Sequence, residues 1–312
     1  MKKLLTIAIP TYNRKDACHK TLKNFINQIL QNKLENDVVI MVSDNCSDDG
    51  TFQMLVNLKE QYPDLIMINK NVSNLGFAKN ILYLINNCAT EYIWTCGDDD
   101  TYFDDSLITV VSILKDKKPV YLFMNCEWPQ PNGSSKKGVK ISEDFYGSFI
   151  DAMDIVRDSA SYMSLNVIKT ELVKKANWYS ETWIVYEKIM TIEPIGNAYV
   201  IARPLVRYSY ADVETNWFYQ DEKQLLFFNE MLHFVLLEKK NKALSKFRFH
   251  MLNLYGNMFE DYLNVLRAKN GIKNINFFKY KKYKKIYHIL LITVILEFVI
   301  IFMLFYIHFW SA

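Results

Sequence analysis

Over its first hundred residues the chain alternates between two apolar rhythms. Short continuous runs, Leu5-Thr6-Ile7-Ala8-Ile9, Val38-Val39-Ile40-Met41-Val42, Leu65-Ile66-Met67-Ile68-Asn69 and Tyr92-Ile93-Trp94-Thr95, have the length and residue type of buried strands. Between them apolar residues recur at helical spacing: Leu22, Phe25, Ile26 and Ile29 after the first run, and Ala78, Ile81, Leu82 and Ile85 after the third. Strands alternating with amphipathic helices predict an α/β fold, a mostly parallel sheet with helices on both faces.

Each strand-like run ends in a polar segment. The first leads into Pro10-Thr11-Tyr12-Asn13-Arg14, the second into Ser43-Asp44-Asn45 and Ser47-Asp48-Asp49-Gly50-Thr51, the third into Asn74-Leu75-Gly76, and the fourth into Asp98-Asp99-Asp100. Ligands of open α/β sheets bind outside the carboxyl ends of the strands. One crevice is therefore expected to collect Thr11, Asp44, Asn74, Lys79 and the three acids. Adjacent carboxylates repel one another, so a fold that gathers them at a strand end needs compensating positive charge, and a divalent metal is the usual source. A solvated acidic turn is the plainer alternative for the acids taken alone.

Read in order, these segments resemble the donor-site motifs of family 2 glycosyltransferases. The resemblance rests on Ile9-Pro10-Thr11-Tyr12-Asn13-Arg14, Val42-Ser43-Asp44-Asn45-Cys46-Ser47-Asp48-Asp49, Asn74-Leu75-Gly76-Phe77-Ala78-Lys79-Asn80 and Gly97-Asp98-Asp99-Asp100. It is tight over roughly the first third of the chain and continues loosely to about Tyr210. It implies a GT-A, Rossmann-like fold that binds a nucleotide-sugar donor and inverts the anomeric centre on transfer to a glycan acceptor. Carried over residue by residue, Thr11 and Asn13 would line the nucleotide pocket, Arg14 would sit near a phosphate, and Asp44 would accept hydrogen bonds from the base or ribose. Asn74, Lys79 and Asp98 would complete the donor site. Asp98, Asp99 and Asp100 would hold Mg²⁺ or Mn²⁺, hard cations suited to oxygen ligands and able to bridge carboxylate to diphosphate.

Two positions depart from the family pattern. Gly97 stands where many relatives have the first acid of the metal motif. Relatives also carry an acidic pair followed by Trp, whose second member is the general base, whereas this chain reads Glu181-Thr182-Trp183. Threonine cannot accept a proton near neutral pH, so the base falls to Glu181 or Glu187, with Glu181 nearer the family position. Thr182 also motivates a different reading, a non-catalytic relative that binds a nucleotide-sugar or glycan; a membrane-tethered scaffold is a third class, disfavoured by four donor motifs in order.

The remainder of the 312 residues changes the picture at the membrane. The run from Ile286 to Trp310 is apolar apart mainly from Thr293 and Glu297, and at about 1.5 Å per residue it can cross a hydrocarbon core of roughly 30 Å. Lys279, Lys281, Lys282, Lys284 and Lys285 precede it, interleaved with Tyr280 and Tyr283, so the expected partners are lipid headgroups rather than nucleic acid. The formal net charge of +3 says little beyond that. Leu4 to Pro10 is too short for a secretory signal, and five cysteines without metal spacing read as free thiols in a reducing compartment. The expected organisation is a GT-A domain over residues 1–210, divided into a nucleotide-sugar half (1–125) and an acceptor half (126–210). A helical basic region (211–285) and a terminal membrane helix (286–310) would follow. These features predict an enzyme on the cytoplasmic face of the inner membrane, acting on a lipid-linked glycan of a lipopolysaccharide, capsule or related surface polysaccharide.

Overall fold

The computed structural model describes residues 3–129, 134–176, 184–192 and 196–208. The strand runs and helical stripes become β1 (Leu5–Thr11), α1 (Lys15–Gln31), β2 (Val38–Asp44), α2 (Thr51–Gln61), β3 (Ile66–Lys70), α3 (Phe77–Asn87) and β4 (Tyr92–Thr95). Every residue of β1, β2 and β4 is buried, as expected of strands covered on both faces. The helix α1 turns Leu22, Phe25, Ile26 and Ile29 inward. In α3 the buried set is Ala78, Asn80, Ile81, Leu84 and Ile85; Leu82, expected on that face, is only half-buried, and Leu84 takes its place. The stripe is rotated because Asn80 turns inward to donate to the Ser43 carbonyl.

Beyond β4 come β5 (Thr101–Tyr102), α4 (Ser106–Lys117), β6 (Tyr121–Pro129), β7 (Ser135–Lys137), β8 (Phe145–Ser148) and α5 (Phe149–Val156). They are followed by β9 (Asn166–Lys169), α6 (Thr170–Lys175), α7 (Ile184–Thr191) and β10 (Asn197–Arg207). Among the described residues one sheet has the order β3-β2-β1-β4-β9-β6-β10-β5, with β7 on β6 and β8 on β10. The block β3-β2-β1-β4 is parallel. The second half is not: β9 runs antiparallel to both β4 and β6, and β5 and β8 run antiparallel to β10. The sheet is thus mixed rather than mostly parallel. The short run Asn-Val-Ile-Lys of β9 enters from the opposite direction and fills the gap between β4 and β6, which themselves point the same way.

Two consequences bear on function. First, β1, β2, β3, β4, β6 and β10 all end on one edge of the sheet, and β9 begins there. Second, the β1–β4 ladder stops at Ala8–Thr95. Pro10, two residues on, has no N–H to donate, so the chain carrying the three acids is released from the sheet at the rim of the crevice. Beneath that rim Phe25, Trp94 and Tyr102 pack ring against ring, with centroids 4.5–5.5 Å apart. Each such pair contributes about 0.5–1.5 kcal/mol beyond area burial, which gives the rim a rigid floor. The Trp94 indole N–H also donates to the Ser164 carbonyl at 2.8 Å, tying β4 to the entrance of β9.

Candidate active site at the carboxyl edge of the sheet

Register brings the expected donor residues together. Thr11 is paired with Asp44 across β1 and β2, and Asp44 with Lys70 across β2 and β3. The Thr11 hydroxyl donates to Asp98 Oδ2 at 2.7 Å, and Arg14 Nη1 donates to Asp98 Oδ1 at 3.0 Å and, more closely still, to Asp99. Asn13 takes a left-handed backbone conformation (φ +50°), which asparagine tolerates better than most residues. From there its N–H donates to Ser47 Oγ at 2.9 Å and its carboxamide oxygen accepts from the Asp48 N–H at 3.0 Å. Ser47 in turn donates its hydroxyl and its N–H to the fully buried Asp44. The first two loops are therefore one hydrogen-bonded unit.

The third loop joins through amides. Asn45 donates to Asn74 at 2.8 Å and accepts from Asn71 and from the Leu75 N–H, each at 2.9 Å; Asn71 also donates to Asn80 at 2.9 Å. These asparagines pair with one another so that a polar loop can leave a buried strand end without orphaned donors. Lys79 is exposed on the first turn of α3.

The acids are distributed rather than convergent. Asp100 is held by two hydroxyls, Tyr162 on Oδ1 and Ser164 on Oδ2 at 2.5 Å. Burial, then repulsion from Asp99, pushes the Asp100 carboxyl up to about 6, against the pull of those hydroxyls. Asp98 is likewise pushed up to about 6 by burial, with Arg14 opposing. Burial works against the Arg14 charge as well, but Asp98 and Asp99 outweigh it and hold the guanidinium above its ordinary value. Asp99 and Arg14 are the accessible pair, with side chains 30% and 33% exposed.

Gly97 has a steric explanation. A Cβ there would lie 2.5 Å from Asp100 Oδ2 and 3.2 Å from Ser164 Oγ, and the Gly97 N–H donates to that same serine oxygen at 2.8 Å. Any side chain at 97 would displace the Asp100–Ser164 pair. The missing first acid is thus part of how Asp100 is seated.

The donor chemistry of the three carboxylates fits Mg²⁺ or Mn²⁺ in one way. Among the described residues no three His, Cys, Asp or Glu side chains form a metal cage. Magnesium sites commonly use one or two carboxylates together with the phosphates of the substrate, and a partly exposed Asp99 beside Asp98 suits that arrangement.

Of the two expected base residues, Glu187 lies buried on the first turn of α7, beside Lys188. Glu181 lies outside the described residues, as do Thr182 and Trp183. Tyr186 is a core residue, 2% exposed. Residues 211–285 and 286–310 also fall outside, and among the described residues no helix is long and apolar enough to cross a membrane. All five cysteines are free, and four of them are buried. No local pattern marks the hydroxyls of Tyr162 and Ser164 as partners of Asp100, because they lie 62 and 64 residues away along the chain. The cue was steric: a glycine directly before three acids.

The Glycosyl transferase family 2 model matches residues 6–164, which span β1 through the approach to β9. The chain belongs to glycosyltransferase family 2. The chain is similar to abequosyltransferase RfbV of Salmonella typhimurium, 34% identical over 119 residues, covering 38% of this chain and 35% of the relative. It is also similar to a processive diacylglycerol beta-glycosyltransferase of Mycoplasma genitalium, 26% identical over 229 residues and 64% of each chain. The chain thus spans about a third and about two thirds of the lengths of these relatives. Its fold matches TarS 1-349 of S. aureus in complex with UDP-GlcNAc, with a TM-score of 0.63 at 12% identity over 86% of this chain and 77% of that one. It also matches the mannosyltransferase PcManGT from Pyrobaculum calidifontis in complex with GDP-Man and Mn²⁺, with a TM-score of 0.54 at 14% identity over 95% of this chain and 87% of that one. This family 2 chain has the GT-A architecture.

Proposed function

We propose that the protein is an inverting, metal-assisted glycosyltransferase that moves a sugar from a nucleotide-sugar to a glycan acceptor, lipid-linked and destined for a bacterial surface polysaccharide. The observation that carries this reading is the hydrogen-bonded unit of Thr11, Arg14, Asp98 and Asp99 at the carboxyl edge of the parallel strands, adjoining the Asn13–Ser47–Asp44 unit. A base or ribose with N–H or O–H groups needs a fixed acceptor, and buried Asp44 supplies one. A leaving diphosphate needs its charge neutralised, and Arg14 is placed among the acids to do so. Mg²⁺ or Mn²⁺, when bound, would be held by Asp98 and Asp99 with the diphosphate and would offset the charge of the leaving group.

Glu181 is assigned as the base that takes the proton of the acceptor hydroxyl. Glu187, enclosed beside Lys188, serves the packing of α7. The basic stretch Lys279 to Lys285 and the apolar run 286–310 support membrane attachment with the catalytic region on the cytoplasmic side, next to its lipid-linked acceptor. The similarity to an enzyme named for glycosylating diacylglycerol supports a lipid-borne acceptor.

A thermal-shift panel of UDP-, GDP-, dTDP- and CMP-sugars with Mn²⁺ tests the donor site. One nucleotide class should raise Tm, and EDTA or Asp98→Asn together with Asp99→Asn should reduce the rise. An equal rise with EDTA would overturn the metal, and no rise with any donor would overturn the function.

A further inference from the structure

Three aromatic rings stand at the same edge of the sheet, beyond the donor acids. Trp128 near the end of β6 and Tyr208 just after β10 stack with centroids 4.5 Å apart and planes 29° from parallel. Tyr162 leans on both, at 5.5 Å from Trp128 and 5.4 Å from Tyr208. All three residues are half-buried. Topology explains the meeting: β6 and β10 are parallel neighbours in register at Glu127 and Arg207, which sets Trp128 and Tyr208 side by side.

Tyr162 connects this cluster to the donor motif, since its hydroxyl donates to Asp100 Oδ1. It approaches from the chain entering β9, the strand between β4 and β6. The three ring centroids lie 4.5–5.5 Å from one another, a compact cluster joined to Asp100 through Tyr162 and about as broad as a single sugar ring.

From this arrangement we infer that Trp128, Tyr162 and Tyr208 form a platform on which a pyranose ring of the acceptor stacks. The C–H face of a pyranose is apolar and flat enough to cover an aromatic ring, while its hydroxyls project sideways to polar partners; the rings supply the first, and the Tyr162 hydroxyl with Asp100 supplies the second. The side of the platform selects the acceptor over the donor. Asp44 and the asparagine network lie on β2 and β3, at the opposite end of the edge. This inference rests on the transferase reading above and adds which residues hold the second substrate.

The test uses the full-length chain and reads two ligands separately. Nucleotide binding is followed by thermal shift with UDP, GDP, dTDP and CMP. Glycan binding is followed by saturation-transfer NMR with methyl and octyl glycosides of glucose, galactose, mannose and N-acetylglucosamine, with nucleotide present. At least one glycoside should bind the wild type. Trp128→Leu and Tyr208→Leu, which keep apolar bulk but lose the aromatic face, should weaken it at least tenfold, whereas Trp128→Phe should stay within threefold; the nucleotide shift should persist in all of them. Equal glycoside binding in wild type and leucine variants, or none in the wild type while nucleotide still binds, overturns the platform and leaves the donor reading standing. Loss of nucleotide binding in the leucine variants would give the rings to the donor and also overturn it. A wild type shifted by no nucleotide contradicts the transferase reading instead.

Discussion

Asp100 shows what a buried carboxylate costs and what surrounds it in compensation. Its two hydroxyl partners favour the ionised form, yet burial and Asp99 win and lift it to about 6. The sign follows from linkage. A folded pKa above the unfolded value, ordinarily 3.8 for this side chain, means that the native state holds the proton more tightly. The contribution of this group to stability is full below about pH 4 and is lost as pH rises through about 6. Asp100→Asn removes that dependence, and both hydroxyls can rotate to suit an amide. The variant should therefore gain on the wild type between about pH 4 and 6, by at most about 3 kcal/mol, in denaturant titrations without ligand. A stability difference that stays flat across that window would show that Asp100 keeps an ordinary pKa.

Residue identity alone gave the right neighbourhood and missed the bonding within it. Thr11, Asn13, Arg14, Asp44, Asn74 and Asp98 do meet at one edge, because strand ends can be read from apolar runs. That Asp98 faces Arg14 while Asp100 faces Tyr162 and Ser164 depends on the path of the chain after Pro10, which no periodicity encodes.

Among the elements, α7 is anchored in an unusual way. Lys188 is 3% exposed, and its ammonium donates to the Val173 carbonyl at 3.0 Å and the Ala176 carbonyl at 2.9 Å, closing the carboxyl end of α6. Burial pulls the lysine below its ordinary pKa, with Glu187 opposing. A cation on the last carbonyls of a helix meets the negative end of its dipole and satisfies groups that have no partner within the helix. Lys188→Met should leave those carbonyls unpaired and remove the cation beside buried Glu187, destabilising the fold by about 2–4 kcal/mol in chemical denaturation. A loss under about 0.5 kcal/mol would mean that water replaces the ammonium. The strand β9 makes a complementary point about legibility. Four residues with a polar residue at each end do not look like a central strand, and Asn166–Lys169 gains that place only because β4 and β6 leave a gap of one strand between them. In α3 the apolar face keeps Ala78, Ile81 and Ile85 and, with Asn80 turned inward, exchanges Leu82 for Leu84.

For the molecule as a whole, the loops proposed to hold the donor all lie before residue 101, whereas the basic and apolar run proposed as the membrane attachment lies after residue 278. Binding of donor and attachment to the bilayer should then be separable. Deleting residues 286–312 should move the protein to the soluble fraction, with a salt-sensitive residue of lipid binding from Lys279 to Lys285. Donor binding should be unchanged, while transfer to a membrane-embedded acceptor should fall because the high local concentration is lost. A full-length protein stripped from membranes by high salt or carbonate would show that the segment lies at the surface. Turnover of the donor bears most directly on the central claim. Full-length protein with Mn²⁺ and each of the UDP-, GDP-, dTDP- and CMP-sugars should release free nucleotide from one donor class, and Asp98→Asn should lower that rate at least a hundredfold. Release from no donor by a folded protein, or equal release by the variant, would contradict the account.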